Sequence, residues 1–460
     1  MKPNFPPNHA RFNFSRRQML QTLSCGFGYL AFASMAARAA ESPLQASKRT
    51  HFAPRAKRVI FLCMRGGPSH VDTFDYKPQL IANGGKPGPR PGSTLLAPCS
   101  KFAQRGQGGL WISDLFPNLA NHADRLCLLR GMHTDLPAHP QAFLRLHTGS
   151  SQFVRPSLGA WTLYGLGTGN ENLPGFVTIT PSGGFGGAQN YGSGFLPAIH
   201  QGTRIGSEGR PISSAEAKNL KPPSPGQRQR IELDLLQSLN REAQSKDPHN
   251  SEIEGVIQSY ELAFRMQSQM PAVMDIRNES DAVKKLYGIG SPGTDDFGRK
   301  CLLARRLVEA GVRFVEIGHG NWDHHFNLTR SLEGGCNAVD KPMAGLIADL
   351  DQRGLLKDTL VVWGGEFGRT PYAQGADGRD HNNKGFTLWM AGGGVKGGFS
   401  HGATDDYGQA AVTGKMSIHD LHATILHLLG FDHEKLTFRH AGRDYRLTDV
   451  HGDVAKAIVT

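Results

Sequence analysis

Continuous apolar runs punctuate this chain, and most of them stop at glycine. Arg58-Val-Ile-Phe-Leu-Cys-Met64 is apolar after its first residue and gives way to Gly66-Gly67, the pattern of a strand buried on both faces. Val312 to Ile317, Thr359 to Trp363 and Phe386 to Met390 repeat it, and Arg125 to Arg130 and Gly175 to Thr180 extend the set. Between these runs the apolar positions take helical spacing. Phe297 to Ala310 carries Leu302, Leu303, Leu307 and Val308 on one face and ends at Gly311, a good C-terminal stop. Lys341 to Arg353 stops in the same way at Gly354 and Ser417 to Leu429 at Gly430, and helices are also predicted over Ile253 to Met270 and Phe116 to Ala123. Buried strands alternating with amphipathic helices predict an α/β protein with a doubly wound, largely parallel sheet flanked by helices. No repeat or compositional break divides residues 57–460, so one domain is expected there. Residues 181–230 are mostly Gly, Ser, Pro and basic, and a long loop-rich insertion is expected at about 181–250.

The first 39 residues follow another logic. Arg16-Arg17 precede a weakly apolar, uncharged stretch from Leu20 to Ala36, and Ala37-Arg38-Ala39 supplies small residues at the −3 and −1 positions of a cleavage site. A twin-arginine signal over 1–39 followed by a linker over 40–56 is the expectation. It implies the twin-arginine translocase as a transient partner, a periplasmic or extracellular protein, and no membrane span after processing.

Charge changes the picture little. Without the five basic residues of positions 1–39, the net charge falls from +11 to +6. That bias suits anionic small molecules or glycans, and no Lys/Arg run interleaved with aromatics points to nucleic acid. Cys63, Cys99, Cys127, Cys301 and Cys336 are odd in number and lack C-x-x-C spacing, which excludes a thiolate zinc framework of that spacing. Cys63, Cys127 and Cys301 fall inside apolar runs and read as buried thiols.

Candidate chemistry gathers where the strands end. The Thr359–Trp363 run delivers Glu366 and Arg369, and Asp380-His381 stands just before Phe386 to Met390. The Val312–Ile317 run is followed by Asn321-Trp322-Asp323-His324-His325. Carboxylate and imidazole together at strand ends are how an α/β protein builds a metal or anion site. Asp323 and His325 read as a ligand pair suited to Zn²⁺, Mn²⁺ or Fe²⁺ or as a hydrogen-bonded loop, and His381 reads as a further ligand. Glu366 reads as ligand, base or ion-pair partner of Arg369, and Arg369 as an anion clamp or a structural salt bridge. Ser69 reads as a turn residue or a substrate contact, His324 as a supporting or solvent-facing residue, and His319 and His401 as candidate additional ligands.

Gly66-Gly67-Pro68-Ser69…Asp72-Thr73-Phe74-Asp75, Asn190-Tyr-Gly-Ser-Gly-Phe-Leu-Pro197, Trp322-Asp323-x-His325, Gly365-Glu366-Phe367-Gly368-Arg369-Thr370-Pro371 and Gly378-Arg379-Asp380-His381 resemble the family called domain of unknown function 1501. The resemblance spans essentially the whole chain after the signal. It implies a planctomycete-type, exported protein of the alkaline phosphatase/sulfatase-like superfamily. It further implies one metal on Asp323, His325 and His381 and a second on Glu366 with Asp72 or Asp75. Those two acids lie several residues beyond the strand end where that superfamily places its own. Aligned on Thr148-Gly149, the superfamily's nucleophile position falls on His139, and no C-x-P-S-R or C-x-A-x-R motif for formylglycine occurs.

The expectation is an exported hydrolase dependent on a divalent metal (Zn, Mn, Fe or Ca). Its substrates are phosphate or sulfate esters, sulfated glycans among them, and its catalytic residues are Glu366, Arg369 and His139. The alternative is a non-enzymatic binding or assembly protein with a structural metal site.

Overall fold

A computed structural model describes residues 48–215, 226–247 and 251–460. The first long apolar run forms β1 (Arg58–Met64), which occupies the middle of an eight-stranded sheet. The other strands are β2 (Leu126–Met132), β3 (Phe176–Ile179), β4 (Thr203–Ile205), β5 (Phe314–His319), β6 (Thr359–Gly364), β7 (Phe386–Ala391) and β8 (Phe399–His401). Their spatial order is β8-β2-β7-β6-β1-β5-β3-β4. Only β7 runs antiparallel to its neighbours β2 and β6, and every other pairing is parallel. The sheet is therefore largely parallel, and its central strands read as unbroken apolar runs because both faces are covered.

The helices that cover it are α1 (His139–Thr148), α2 (Leu158–Leu166), α3 (Gly226–Lys246), α4 (Ser251–Met274), α5 (Asp295–Glu309), α6 (Leu328–Gln352) and α7 (Ile418–Leu428). Val59, Phe61 and Cys63 of β1 pack with Leu360, Val362, Leu388 and Met390 against α1, α2 and α7. The alternate residues Ile60, Leu62 and Met64 are equally buried and face the other way, where α5 packs on β1 and β5. Trp363 meets Phe74, Phe116, Trp322 and Trp389 on that second face.

Three regions depart from the sequence expectation. The stretch expected to be loop at about 181–250 contains β4 at the sheet edge and α3, whose polar surface (Arg228 to Glu232 and Arg230 to Asp234 at i, i+4) hid a helix from hydrophobic periodicity. α6 begins at Leu328, well before Lys341. Gly334, Gly335 and Pro342 read as breakers, yet Leu332, Cys336 and Val339 bury a continuous face that overrides them. Within the expected linker, Lys48 is bonded to Gly165, His51 and Phe52 to Gly430, and Arg55 and Ala56 to Leu428, so residues 48–56 are tied to the helical layer. The expected signal segment 1–39 and residues 40–47 of the expected linker lie outside the described residues. Among the described residues all five cysteines are free, and no helix is long and apolar enough to cross a membrane.

Candidate metal centre at the strand ends

β6, β1 and β5 are adjacent, and the chain leaving their C-terminal ends converges. β1 leads into Gly66-Gly67, β5 into Asp323-His324-His325, and β6 into Glu366. Gly66 has φ +116°, and a Cβ there would lie 2.6 Å from the Asp323 nitrogen. Only glycine lets the two loops approach this closely. The approach aims the Gly66 N–H at both oxygens of Glu366, at 3.0 and 3.2 Å.

Two further elements complete the cluster. α1 starts with His139 followed by Pro140 and ends at Gly149 in the left-handed conformation (φ 71°), so His139 stands at its N-terminus above Glu366. A hairpin of Gly368–Ala373 with Arg379–Asn382 sets His381 directly opposite Arg369. The resulting contacts are short. His139 Nδ1–H donates to Glu366 Oε1 at 2.6 Å, and its Nε2 lies 3.3 Å from Asp323 Oδ2. Asp323 Oδ1 lies 2.8 Å from His325 Nε2 and 3.3 Å from His381 Nε2. Those two ring nitrogens are 3.0 Å from each other.

The outward nitrogens decide what this means. His381 Nδ1 faces the Pro137 carbonyl at 2.9 Å and His325 Nδ1 faces Gln374 Oε1 at 2.6 Å. Each carries a proton on Nδ1, so a neutral ring turns its Nε2 lone pair toward Asp323, whereas a protonated ring donates to Asp323 from Nε2. Two lone pairs and a carboxylate oxygen about 3 Å apart repel one another unless a proton or a metal cation lies between them. A tetrahedral ion about 2.0–2.1 Å from its ligands separates them by about 3.3 Å, close to the 2.8–3.3 Å seen here. His139 forms a second, overlapping group with Asp323 and His381, one ligand atom of each lying within 4.8 Å of the others.

Electrostatics and packing support the arrangement. Burial works against a charged His139, but hydrogen bonds to Asp323 and Glu366 outweigh it and raise its pKa. Burial works against a charged Asp323 too, and the bonds from His139 and His381 and the charge of Arg369 hold its carboxyl far below the usual range. Phe185 stacks flat on His139 with ring centres 4.6 Å apart, and Phe367 lies 4.7 Å from both His139 and His381. One side of the cluster is thereby dry. Asp323 stays 40% exposed and His325 and His381 about 20%, so the other side is open to solvent.

His139, Asp323, His325, Glu366, Arg369 and His381 are thus brought together, and Asp72 is not. The short helix His70–Thr73 carries Asp72 into the interior, where it is fully buried and pairs with Arg379 (Nε to Oδ2 at 2.8 Å, Nη2 to Oδ1 at 3.2 Å). Asp75 is likewise engaged by Lys77 and Thr404. The expectation of an early-strand acid as a metal ligand is corrected accordingly: both acids are spent on structural ion pairs. Arg369 is also redirected. Its fully buried guanidinium donates to the carbonyls of Gly67 (3.0 Å), Arg379 (3.3 Å) and Gly66 and to Asp323 Oδ1 (2.6 Å), which makes it a brace for the ligand loop and not a free anion clamp. His324 is buried, not solvent-facing, and burial lowers its pKa to about 4. Ser69 donates to Asp72, His319 accepts from Trp322 Nε1, and His401 lies on β8. Gln374, the Pro137 carbonyl and Phe185 carried no signal in the sequence, since their roles exist only through contacts with residues far along the chain.

A family model described as "Protein of unknown function (DUF1501)" matches residues 56–459. No curated protein matches the chain. Similar solved structures include the PsFucS1 sulfatase from Pseudoalteromonas sp., with 14% identity over 83% of this chain and 69% of that one and a TM-score of 0.37. Another is the lipoteichoic acid synthase LtaP from Listeria monocytogenes, with 10% identity, 88% and 78% coverage and a TM-score of 0.39. A third is an alkaline phosphatase from the Antarctic bacterium TAB5, with 10% identity, 81% and 98% coverage and a TM-score of 0.33. At these TM-scores the likenesses carry no argument about chemistry.

Proposed function

The chain belongs to the DUF1501 family of proteins of unknown function, and from that premise we propose that it is a metal-dependent hydrolase of phosphate or sulfate esters. The ion is held by Asp323 Oδ1, His325 Nε2 and His381 Nε2. The observation that carries this reading is the convergence of those three atoms, at 2.8–3.3 Å, with both imidazoles fixed through Nδ1 by oxygen acceptors. Two nitrogens and one oxygen favour Zn²⁺, Mn²⁺ or Fe²⁺ over Ca²⁺, which takes six to eight oxygens. When bound, such an ion supplies Lewis acidity toward an ester oxygen or water.

The chain's own residues supply the rest. Glu366, held by the Gly66 N–H, orients His139 through Nδ1 and leaves Nε2 as the atom that takes or gives a proton. Arg369 positions Asp323. Phe185 and Phe367 exclude water from the His139 side. The net positive charge after residue 39 suits an anionic substrate, sulfated glycans among the candidates, and Arg16-Arg17 supports export by the twin-arginine route to the periplasm or beyond.

One observation favours the second reading, a binding or assembly protein with a structural ion: the Arg369 guanidinium is already engaged on four acceptors and offers little to an anion. Elemental analysis and an ester panel separate the two. The processed protein should carry an equivalent of metal that Asp323→Asn/His381→Ala loses, whatever metal is bound elsewhere, together with turnover of aryl phosphate or sulfate. Metal loss with no turnover in either protein favours the structural ion. Unchanged metal content in the double variant refutes the centre.

A further inference from the structure

α1 bridges a second cluster. His147 lies eight residues after His139, about 12 Å along the same helix at 1.5 Å per residue, and its side chain is buried against the sheet. There it meets Cys63, near the end of β1, and Glu316 in β5. Glu316 is paired in register with Phe61, so it shares the face of Phe61 and Cys63. His147 Nε2 is 2.9 Å from Glu316 Oε1 and 3.9 Å from Cys63 Sγ, and all three residues are almost wholly buried.

We propose that Cys63 Sγ, His147 Nε2 and Glu316 Oε1 form a second transition-metal site, suited to Zn²⁺, with an open position facing a pocket that opens partly to solvent. The geometry argues for it in three ways. First, His147 Nδ1–H donates to the Phe143 carbonyl at 2.7 Å, which fixes the tautomer and aims the Nε2 lone pair at the other two donors. Second, with bonds of about 2.0 Å to nitrogen and oxygen and about 2.3 Å to sulfur, a tetrahedral ion separates nitrogen from oxygen by about 3.3 Å and nitrogen from sulfur by about 3.5 Å. The observed 2.9 Å (nitrogen to oxygen) and 3.9 Å (nitrogen to sulfur) each lie within about 0.4 Å of those edges. Third, the charges balance. The ion displaces the thiol proton to solvent, and one thiolate and one carboxylate neutralise its two charges in the interior.

A cysteine-nucleophile triad does not fit the same atoms. Such a triad places thiol and carboxylate on opposite ring nitrogens, whereas here both approach Nε2. The open position follows from the surroundings. A cavity of about 220 Å³ is lined by Cys63, Glu316, Ser182, Tyr191, Arg65 and Lys300 among others. Ser182 is 8% exposed and its Oγ has no hydrogen-bond partner. The cavity's other charges pair off, Arg65 with Glu208 and Lys300 with Asp296, which leaves the Glu316 carboxylate to His147 or to a cation. Three protein ligands and a vacant fourth side are the pattern of a site that admits a small ligand.

Cobalt substitution tests this independently of the strand-end centre, which has no sulfur. Full-length protein titrated with Co²⁺ should develop a near-ultraviolet thiolate-to-cobalt charge-transfer band. Cys63→Ser should lose that band and one equivalent of bound Co²⁺, and Asp323→Asn/His381→Ala should keep it. Glu316→Gln, which preserves shape, should keep the band but weaken Co²⁺ binding by about tenfold or more. No thiolate band in the wild type at saturating Co²⁺, or a band that survives in folded Cys63→Ser, overturns the proposal. If Cys63→Ser does not fold, Glu316→Gln decides: unchanged affinity overturns it as well.

Discussion

Replacing Arg369 by methionine separates a brace from a substrate clamp. The change keeps side-chain length and apolar volume but removes every donor. The carbonyls of Gly66, Gly67 and Arg379 then lose their guanidinium partner in an interior where Arg369 itself is fully buried. Each buried acceptor left unpaired costs about 1–3 kcal/mol, and three carbonyls are left so. Asp323 is 40% exposed and can be rehydrated, so it adds little to the total. The expected loss is therefore at least about 3 kcal/mol and up to about 9 kcal/mol, a large share of the roughly 5–15 kcal/mol that a folded domain possesses. Urea unfolding followed by tryptophan fluorescence reads it, because Trp322 and Trp363 lie 6.3 Å apart beside the ligand loop. The midpoint should fall with the slope unchanged. Arg369→Lys, which restores charge without the planar fork, should recover only part of the loss. A loss below about 1 kcal/mol in Arg369→Met, with ester turnover impaired through KM alone, refutes the brace and restores the anion clamp.

Gly66→Ala should cost more than about 1 kcal/mol and lower metal stoichiometry, since its Cβ would meet the Asp323 nitrogen at 2.6 Å; unchanged melting temperature and metal content would contradict that. Acid should destabilise the fold through His422, whose folded pKa burial depresses to about 3. The unfolded histidine takes its proton near pH 6.5 and the folded one does not, so stability is lost as pH falls below about 6.5. At pH 5 the loss is about 2 kcal/mol relative to pH 7. His422→Gln should flatten the urea-midpoint pH profile by about that amount, and an unaltered profile would show His422 to be uninvolved. Dialysis against EDTA should lower the unfolding midpoint, by about 2.7 kcal/mol for metal held at a hundred times its Kd. The effect should shrink in Asp323→Asn/His381→Ala, and equal sensitivity in both proteins would place the stabilising metal elsewhere.

What the chain itself determines is local. A continuous apolar run needs burial on both faces, so Arg58–Met64, Thr359–Trp363 and Phe386–Met390 were legible as central strands, and helix stops at Gly311, Gly354 and Gly430 were legible because only glycine relaxes there. Asp323, His325, Glu366 and His381 could be suspected because they follow strand ends, where a parallel sheet opens a crevice. Periodicity carries no strand direction, so nothing in Phe386 to Met390 announced that β7 runs antiparallel. Nor could spacing tell apart acids that look alike. Asp72 and Asp323 both follow strands, and only the fold decides that one meets Arg379 in the interior while the other meets three imidazoles at the surface. The same holds for Cys63, a plain core thiol in sequence. His147 and Glu316 lie 84 and 253 residues further along the chain by their numbers, and only the packing of α1 on β1 and β5 brings their donor atoms together. Residue type sets what a group can do, and the tertiary contacts that fix its charge, its tautomer and its neighbours decide what it does.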